Sequence, residues 1–138
     1  MKKLFPLFFA LFFFSFSAQV KNEFQLSSHI LDITIGQPVA QVTVQLEKLD
    51  ETTKQWIFVS KMQTDNNGRI ANFLPYSKDL KNNFGKYKLI FLTEEYFKNK
   101  KTESFYPFIE VVFQIKDEKH YHVPITLSPF GYSTYRGS

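Results

Sequence analysis

The sequence predicts an all-β fold, an antiparallel β-sandwich with one short helix. Apolar and polar residues alternate at period two in several segments, and turn residues separate these segments at intervals of roughly ten residues. A single stretch has a helical pattern instead. Roughly seven short strands spaced in this way are typical of two sheets that share one core. The length of 138 residues suits a single domain.

The first 18 residues have the layout of a secretory signal peptide. Lys2 and Lys3 form a basic start, an apolar run rich in phenylalanine follows, and small residues end at Ala18. A membrane anchor is the alternative, but the apolar run is shorter than the roughly 20 residues that cross a bilayer. We therefore expect cleavage near Ala18, a folded domain over residues 19–138, export to a bacterial periplasm, and no membrane association afterwards.

Charge and cysteine content exclude some functions. The formal net charge is +4, and it falls to +2 without Lys2 and Lys3, the charged residues of the leader. A balance so close to neutral gives no electrostatic reason to expect a nucleic-acid partner. The chain has no cysteine, so neither disulfides nor thiol chemistry contribute.

The predicted strands each present one apolar face. The clearest segments are PVAQVTVQLEKL, IEVVFQIK and HYHVPITLS, and the shorter runs QWIFVSKM and GKYKLIFL predict two more strands. Turn signals separate them at Gly36 with Pro38 and at residues 65–68, 82–85 and 116–119. The residues that alternation assigns to the core are Val42, Val44, Leu46, Ile109, Val111, Phe113, Ile115, Tyr121, Val123, Ile125 and Leu127.

The segment TEEYFKNKK, residues 93–101, predicts the helix, roughly two to three turns long. Thr93 is the predicted N-cap, glutamates follow in the first turn, and lysines lie in the last turn, which suits the helix dipole. We interpret these lysines as a solvated helix end and not as a binding patch.

Two histidines open the last long strand. His120 and His122 are two residues apart, so both point to the polar face of that strand. They are consistent with exposed surface histidines. They are also consistent with a metal site, although further ligands would have to come from elsewhere in the chain.

Two other residues are candidates for chemistry. Arg69 directly follows the turn DNNG, where a long cation either reaches a neighbouring loop or stays in solvent. His29 alternates with Leu31 and Ile33, a pattern that predicts a histidine in the core. The chain lacks a Gly-x-Ser-x-Gly elbow, a glycine-rich phosphate loop and a His-Glu-x-x-His motif. The chemistry that remains available to these residues is proton transfer by imidazole and charge stabilisation by guanidinium.

The C-terminal stretch HYHVPITLSPFGYSTYRGS resembles the terminal signature of the 5-hydroxyisourate hydrolases, the enzymatic branch of the transthyretin-like family. LSSHILDITIGQPVAQVTVQLEKL resembles the first strand and turn of this family, and TDNNGRI resembles its Asp-Gly-Arg turn. The resemblance implies a transthyretin-like sandwich that forms a homotetramer, with pockets at a subunit interface. It also implies that His29 lies on a channel-lining face and not in the core.

The resemblance also assigns roles to particular residues. The implied catalytic residues are His29, Arg69, His122 and Ser138. The implied substrate-binding residues are His29, Arg69, Tyr135, Arg136 and Gly137. His120 matches a position without a catalytic role.

The implied reaction is hydrolysis of the cyclic amide of 5-hydroxyisourate, in urate degradation, to 2-oxo-4-hydroxy-4-carboxy-5-ureidoimidazoline. Water is the nucleophile, His29 or His122 activates it, and Arg69 stabilises negative charge, so neither a cofactor nor a metal is expected. Two alternatives stay open. One is a transthyretin-like carrier of small molecules, and the other is a metal-binding module built on His120 and His122.

Overall fold

The structure, a computed structural model, describes residues 23–137. The predicted signal peptide and Ser138 lie outside the described residues. The strands of the described chain are β1 (Phe24–Asp32), β2 (Gln37–Pro38), β3 (Thr43–Leu49), β4 (Trp56–Gln63), β5 (Arg69–Pro75), β6 (Gly85–Phe91), β7 (Ile109–Ile115), β8 (Tyr121–Ser128) and β9 (Gly131–Thr134). The helices are a 3-10 helix (Leu80–Asn83) and α1 (Glu94–Asn99).

These strands form two sheets. The first sheet has the order β2-β1-β8-β9, and β5 also pairs with β1. The second sheet has the order β4-β3-β6-β7. Apolar residues of both sheets form one hydrophobic core, so the predicted all-β sandwich is confirmed. Within residues 23–137, neither helix is long and apolar enough to cross a membrane.

One strand pair departs from the predicted antiparallel arrangement. β1 and β8 run parallel, with Ser27 opposite His122 and His29 opposite Pro124. Alternation predicts which face of a strand is buried, but it carries no information about which strand lies beside it or in which direction that strand runs. This parallel pair brings the N-terminal strand against the last long strand of the domain.

The predicted core faces agree with the structure in β3, β7 and β8. Leu46, Ile115 and Leu127 are fully buried, and only Phe113 among the predicted core residues is partly exposed. The core is extended by residues that the alternation did not single out, including Ile30 and Phe73. Burial of such apolar side chains supplies most of the favourable free energy of folding.

In β1 the core prediction was wrong. Leu26 and Ile30 face the core, whereas His29 is half-buried on the opposite face. The alternation is ambiguous because the core face also carries two polar residues, each with a buried partner. The hydroxyl of Ser28 donates to the carbonyl of Val123 at 2.8 Å. The carboxylate of Asp32, the second polar residue, accepts a hydrogen bond from a tyrosine of α1.

The helix is shorter than predicted. α1 has six residues, and the hydroxyl of Thr93 forms no capping hydrogen bond. Lys98 pairs with Glu94 on the exposed surface, as a solvated helix end predicts. Lys100 differs, because its ammonium lies 3.3 Å from the buried carboxylate of Asp32 in β1. The helix is therefore fastened to the sheet through this lysine.

Asp32 is the anchor of this contact. Burial of its carboxyl group acts to raise its pKa, but hydrogen bonds from Tyr96, Thr34 and Lys100 outweigh that effect and hold the pKa below its usual value. The phenol of Tyr96 donates to the carboxylate at 2.6 Å. Because the native pKa is lowered, the ionised group stabilises the fold above its ordinary pKa of about 4 and this stability is lost as the pH falls through the native value.

We expect Asp32→Asn to lower the free energy of unfolding at neutral pH by about 1.5–3 kcal/mol, the usual contribution of hydrogen bonds to a charged group. Urea unfolding at pH 7 and in acid measures this difference. The gap between the variant and the wild type should narrow as the pH falls through the native pKa. Glu95→Gln, at an exposed carboxylate of the same helix, is the control. A constant gap at all pH values would show that the ionised carboxylate is not the source of the stability.

Candidate active site

Three strands of the first sheet bring the predicted chemical residues together. β1 pairs with β5 so that His29 lies opposite Arg69, and it pairs with β8 so that Ser27 lies opposite His122. Side chains two residues apart on a strand share a face, so Ser27 and His29 both lie on the outer face of β1. His29, Arg69 and His122, which are far apart in the sequence, are therefore neighbours on one surface.

The turn before β5 fixes the position of Arg69. The carboxylate of Asp65 accepts hydrogen bonds from the backbone N–H groups of Asn67 and Arg69, at 2.8 and 2.9 Å. Gly68 has a φ of +71°, and a Cβ atom at this residue would lie 2.6 Å from the carbonyl oxygen of Ile30. Only glycine fits so close to β1 in this conformation. Arg69 therefore begins β5, as the sequence predicts, and it lies opposite His29 in β1.

The two histidines of the site, His29 and His122, both have a pKa below the usual value for histidine. Burial is the largest cause that lowers the pKa of His29, and the charge of Arg69 lowers it further, against smaller opposing effects of Asn67 and Asp65. Burial also lowers the pKa of His122, followed by the charges of Arg69, His29 and His120. A neutral imidazole accepts a proton, so both side chains are prepared to act as bases near neutral pH.

Ser27 connects His120 and His122 at the start of β8. Its hydroxyl oxygen lies 2.8 Å from Nε2 of His120 and 2.8 Å from Nδ1 of His122. His120 also places Nδ1 2.8 Å from the carbonyl oxygen of Phe24. Both ring nitrogens of His120 are thus engaged by protein atoms, which argues against the metal-binding alternative. Sequence reasoning missed Ser27, although its position two residues before His29 places both side chains on one strand face.

The C-terminal tail returns to β8 at Gly137. Its backbone N–H donates to the carbonyl of His122 at 2.8 Å, and the two residues form an antiparallel bridge. A Cβ atom at Gly137 would lie 2.5 Å from Cδ2 of the His122 ring. The tail therefore packs against the imidazole, and the absence of a side chain at this position makes the contact possible.

The other predicted tail residues lie elsewhere in a single chain. The guanidinium of Arg136 lies over the ring of Tyr121, 4.6 Å from its centroid, on the core side of β8. Tyr135 is 59% exposed. Both residues line a cavity of about 360 Å³ beside β7, together with Val112 and Lys116 among others. Their predicted contacts with substrate, and that of Ser138, stay predictions.

A small cavity lies beside Ser27 and Arg69. It has a volume of about 130 Å³ and is lined by Ser27, Ser28, Arg69, Ile70, Ala71 and His120. Pockets that bind small organic molecules usually have about 300–1,000 Å³. Within residues 23–137, no group of three or more histidine, aspartate or glutamate side chains is arranged to hold a metal ion.

Taken together, the fold and this surface define a two-sheet β-sandwich with a histidine and arginine site on the outer face of one sheet. The model of the HIUase/Transthyretin family matches residues 26–137. The chain belongs to this family.

Individual proteins show the same relationship. A probable 5-hydroxyisourate hydrolase of Caenorhabditis elegans is 46% identical over 116 residues, which cover 82% of this chain and 81% of the relative. The structure of Klebsiella pneumoniae 5-hydroxyisourate hydrolase superposes with a TM-score of 0.67 at 36% identity, covering 82% of this chain and 92% of that one. Transthyretin from Sparus aurata superposes with a TM-score of 0.72 at 28% identity, over 82% and 96% of the chains.

Proposed function

We propose that this protein is a hydrolase that opens the cyclic amide of 5-hydroxyisourate in urate degradation. The observation that carries the proposal is the meeting of two histidines and an arginine on one sheet face, through the pairing of β1 with β5 and β8. The pKa of each histidine is lowered there. Enzymes named for this reaction share 36–46% of their residues with the chain.

The proposed mechanism uses water as the nucleophile. His122 accepts the proton of water at Nε2, because Nδ1 is already bonded to Ser27 and Nε2 has no hydrogen-bond partner within residues 23–137. Hydroxide adds to the amide carbonyl, and the guanidinium of Arg69 stabilises the oxyanion. The C–N bond then breaks, and the ring nitrogen takes the proton that His122 accepted from water, with the neutral imidazole of His29 as the relay, so both histidines end neutral.

The assay generates 5-hydroxyisourate with urate oxidase and follows its ultraviolet absorbance with and without the protein of residues 19–138. We expect decay well above the spontaneous rate, with 2-oxo-4-hydroxy-4-carboxy-5-ureidoimidazoline as the product. Decay at the spontaneous rate over a wide range of protein concentration would refute the proposed activity.

We further propose that the protein acts as a homotetramer in which a second subunit completes the site. The small size of the cavity beside Ser27 and Arg69 and the exposed side chain of Tyr135 in the tail support this proposal. Sedimentation equilibrium of the protein of residues 19–138 tests it. A monomer with full activity would contradict a shared site.

Export to the periplasm is a separate proposal. Its support is the layout of residues 1–18, and the family match begins beyond them, at residue 26. Expression of the full chain in a bacterial host, followed by fractionation and N-terminal mass analysis, tests it. A protein that starts near Gln19 in the periplasmic fraction is expected, and an uncleaved chain in the cytoplasm would contradict it.

The close contact at Gly137 leads to a prediction for Gly137→Ala. The added methyl group overlaps the ring of His122, so either the imidazole or the tail must move. Displacement of a catalytic group by about 1 Å can reduce the rate about 10²-fold, and we expect a loss in kcat/KM of that order. Gly131→Ala is the matched control, because its Cβ atom would lie at an ordinary 3.6 Å from the Ser128 hydroxyl. Wild-type kcat/KM in Gly137→Ala would contradict the contact.

A further inference from the structure

The three hydrogen bonds around Ser27 restrict where the protons lie. A carbonyl oxygen can only accept a hydrogen bond, so Nδ1 of His120, at 2.8 Å from the carbonyl of Phe24, carries a proton. In neutral His120 the other nitrogen, Nε2, is then an acceptor. The hydroxyl of Ser27, at 2.8 Å, must donate to it.

The same reasoning extends to His122. Because the single proton of the Ser27 hydroxyl is directed to His120, its oxygen accepts the remaining hydrogen bond, and Nδ1 of His122 is the donor at 2.8 Å. A neutral imidazole carries one proton, so Nε2 of His122 has a free lone pair. The backbone carbonyl of Phe24 thus determines the tautomer of His122 through two side chains.

We propose that Ser27 and His120 are positioning residues that hold His122 in the tautomer with a free Nε2. They also accept the Nδ1 proton of His122 when Nε2 takes a proton from water. As Nε2 takes a proton from water, the Nδ1 proton moves to Ser27, and the Ser27 proton moves to Nε2 of His120. His122 ends neutral with its proton on Nε2, Ser27 regains its hydroxyl, and His120 becomes the imidazolium. The hydroxide released from water adds to the substrate, so atoms and charges balance.

The surroundings of His122 favour this transfer. Burial is the main cause of its lowered pKa, so His122 takes up a second proton reluctantly, and the relay leaves it neutral. The charged and titratable groups that face the relay are Arg69 from β5 and His29 from β1. The kinetic part of this inference rests on the proposed function, whereas the tautomer does not.

The first test is ¹⁵N NMR of the histidine side chains at about pH 8, where free imidazoles are neutral. In the wild type we expect His122 to carry its proton on Nδ1. Ser27→Thr retains the hydroxyl and should keep this tautomer, while Ser27→Ala should shift His122 toward the Nε2–H form. A wild-type His122 that is protonated on Nε2, or a tautomer that is unchanged in Ser27→Ala, would overturn the inference.

The second test is kinetic. We expect Ser27→Ala to lower kcat about 10-fold or more with little change in KM, because general acid–base catalysis contributes roughly 10²–10⁴-fold and the variant loses part of it. Ser27→Thr should recover most of the rate. Ser133→Ala, which removes a hydroxyl of the same sheet that bonds Thr126, is the control and should keep the wild-type rate. Equal kcat in Ser27→Ala and the wild type would overturn the relay, whereas an inactive wild type with the expected tautomers would refute only the proposed hydrolysis.

Discussion

Replacing His122 with asparagine is expected to lower kcat for 5-hydroxyisourate by about 10²–10⁴-fold, the usual contribution of a general base. The amide of asparagine can still bond the Ser27 hydroxyl, which lies 2.8 Å from Nδ1 in the wild type. The variant therefore retains the local contact but has no nitrogen that accepts a proton from water. KM should change little, because the interaction is lost chiefly in the transition state.

Steady-state kinetics of His122→Asn tests this expectation, with sedimentation and circular dichroism as controls for assembly and fold. Normal assembly with lost turnover is the expected result. Turnover at the wild-type rate would show that His122 is not the base, and the same measurement on His29→Asn would then identify the alternative.

Arg69→Gln should have an effect of similar size, a loss of about 10²–10³-fold in kcat, comparable to removal of one oxyanion donor in other hydrolases. Glutamine has about the same length but no charge. Arg69→Lys is the matched variant. It keeps the positive charge but loses the planar fork of donors, so an intermediate rate is expected.

Arg69 has two proposed roles, to stabilise the oxyanion and to lower the pKa values of the histidines, and the pH profile separates them. Its charge contributes to lowering the pKa of both His29 and His122, after burial. These lowered pKa values keep the imidazoles neutral to a lower pH than is usual for histidine, about 6.5. Removal of the charge raises both pKa values, so the acidic limb of kcat/KM in Arg69→Gln should move to higher pH. The limb should stay in place in Arg69→Lys, and an unmoved limb in Arg69→Gln would contradict the coupling.

Much of the fold could be predicted from alternation, because most strands have one apolar face and one polar face. Alternation failed in β1, where Ser28 and Asp32 are buried with partners from β8 and α1. It also gave no indication that β1 and β8 run parallel, because strand direction depends on pairing between distant segments. The length of the helix was overestimated. Lys100 was one of the lysines that suggested its last turn, but this side chain bonds a buried carboxylate instead.

The candidate site was predicted largely through resemblance and not through local pattern. Arg69, His29 and His122 come from three strands, and no local spacing indicates that they meet. Ser27 and His120 were overlooked as a pair, since a hydrogen bond between β1 and the start of β8 depends on the register of the parallel strands. The role of Gly137 beside the imidazole was visible only once the tail was placed.

The similarity to transthyretin keeps a carrier without catalysis as the main alternative, since the sandwich alone does not define an activity. A carrier needs neither a free histidine nitrogen nor an arginine that keeps its neighbours neutral. Loss of turnover in the His122 and Arg69 variants, with ligand binding retained, would favour the enzyme. Decay at the spontaneous rate in the wild type, with ligand binding retained, would favour the carrier.

The most direct measurement is a crystal structure of the assembled protein with an unreactive planar purine analogue. We expect the analogue to lie on the outer face of the first sheet, within hydrogen-bond distance of Nε2 of His122 and of the guanidinium of Arg69, with the tail of a neighbouring subunit at its edge. An analogue bound only in the cavity beside β7, next to Tyr135 and Arg136 and away from both histidines, would contradict the site.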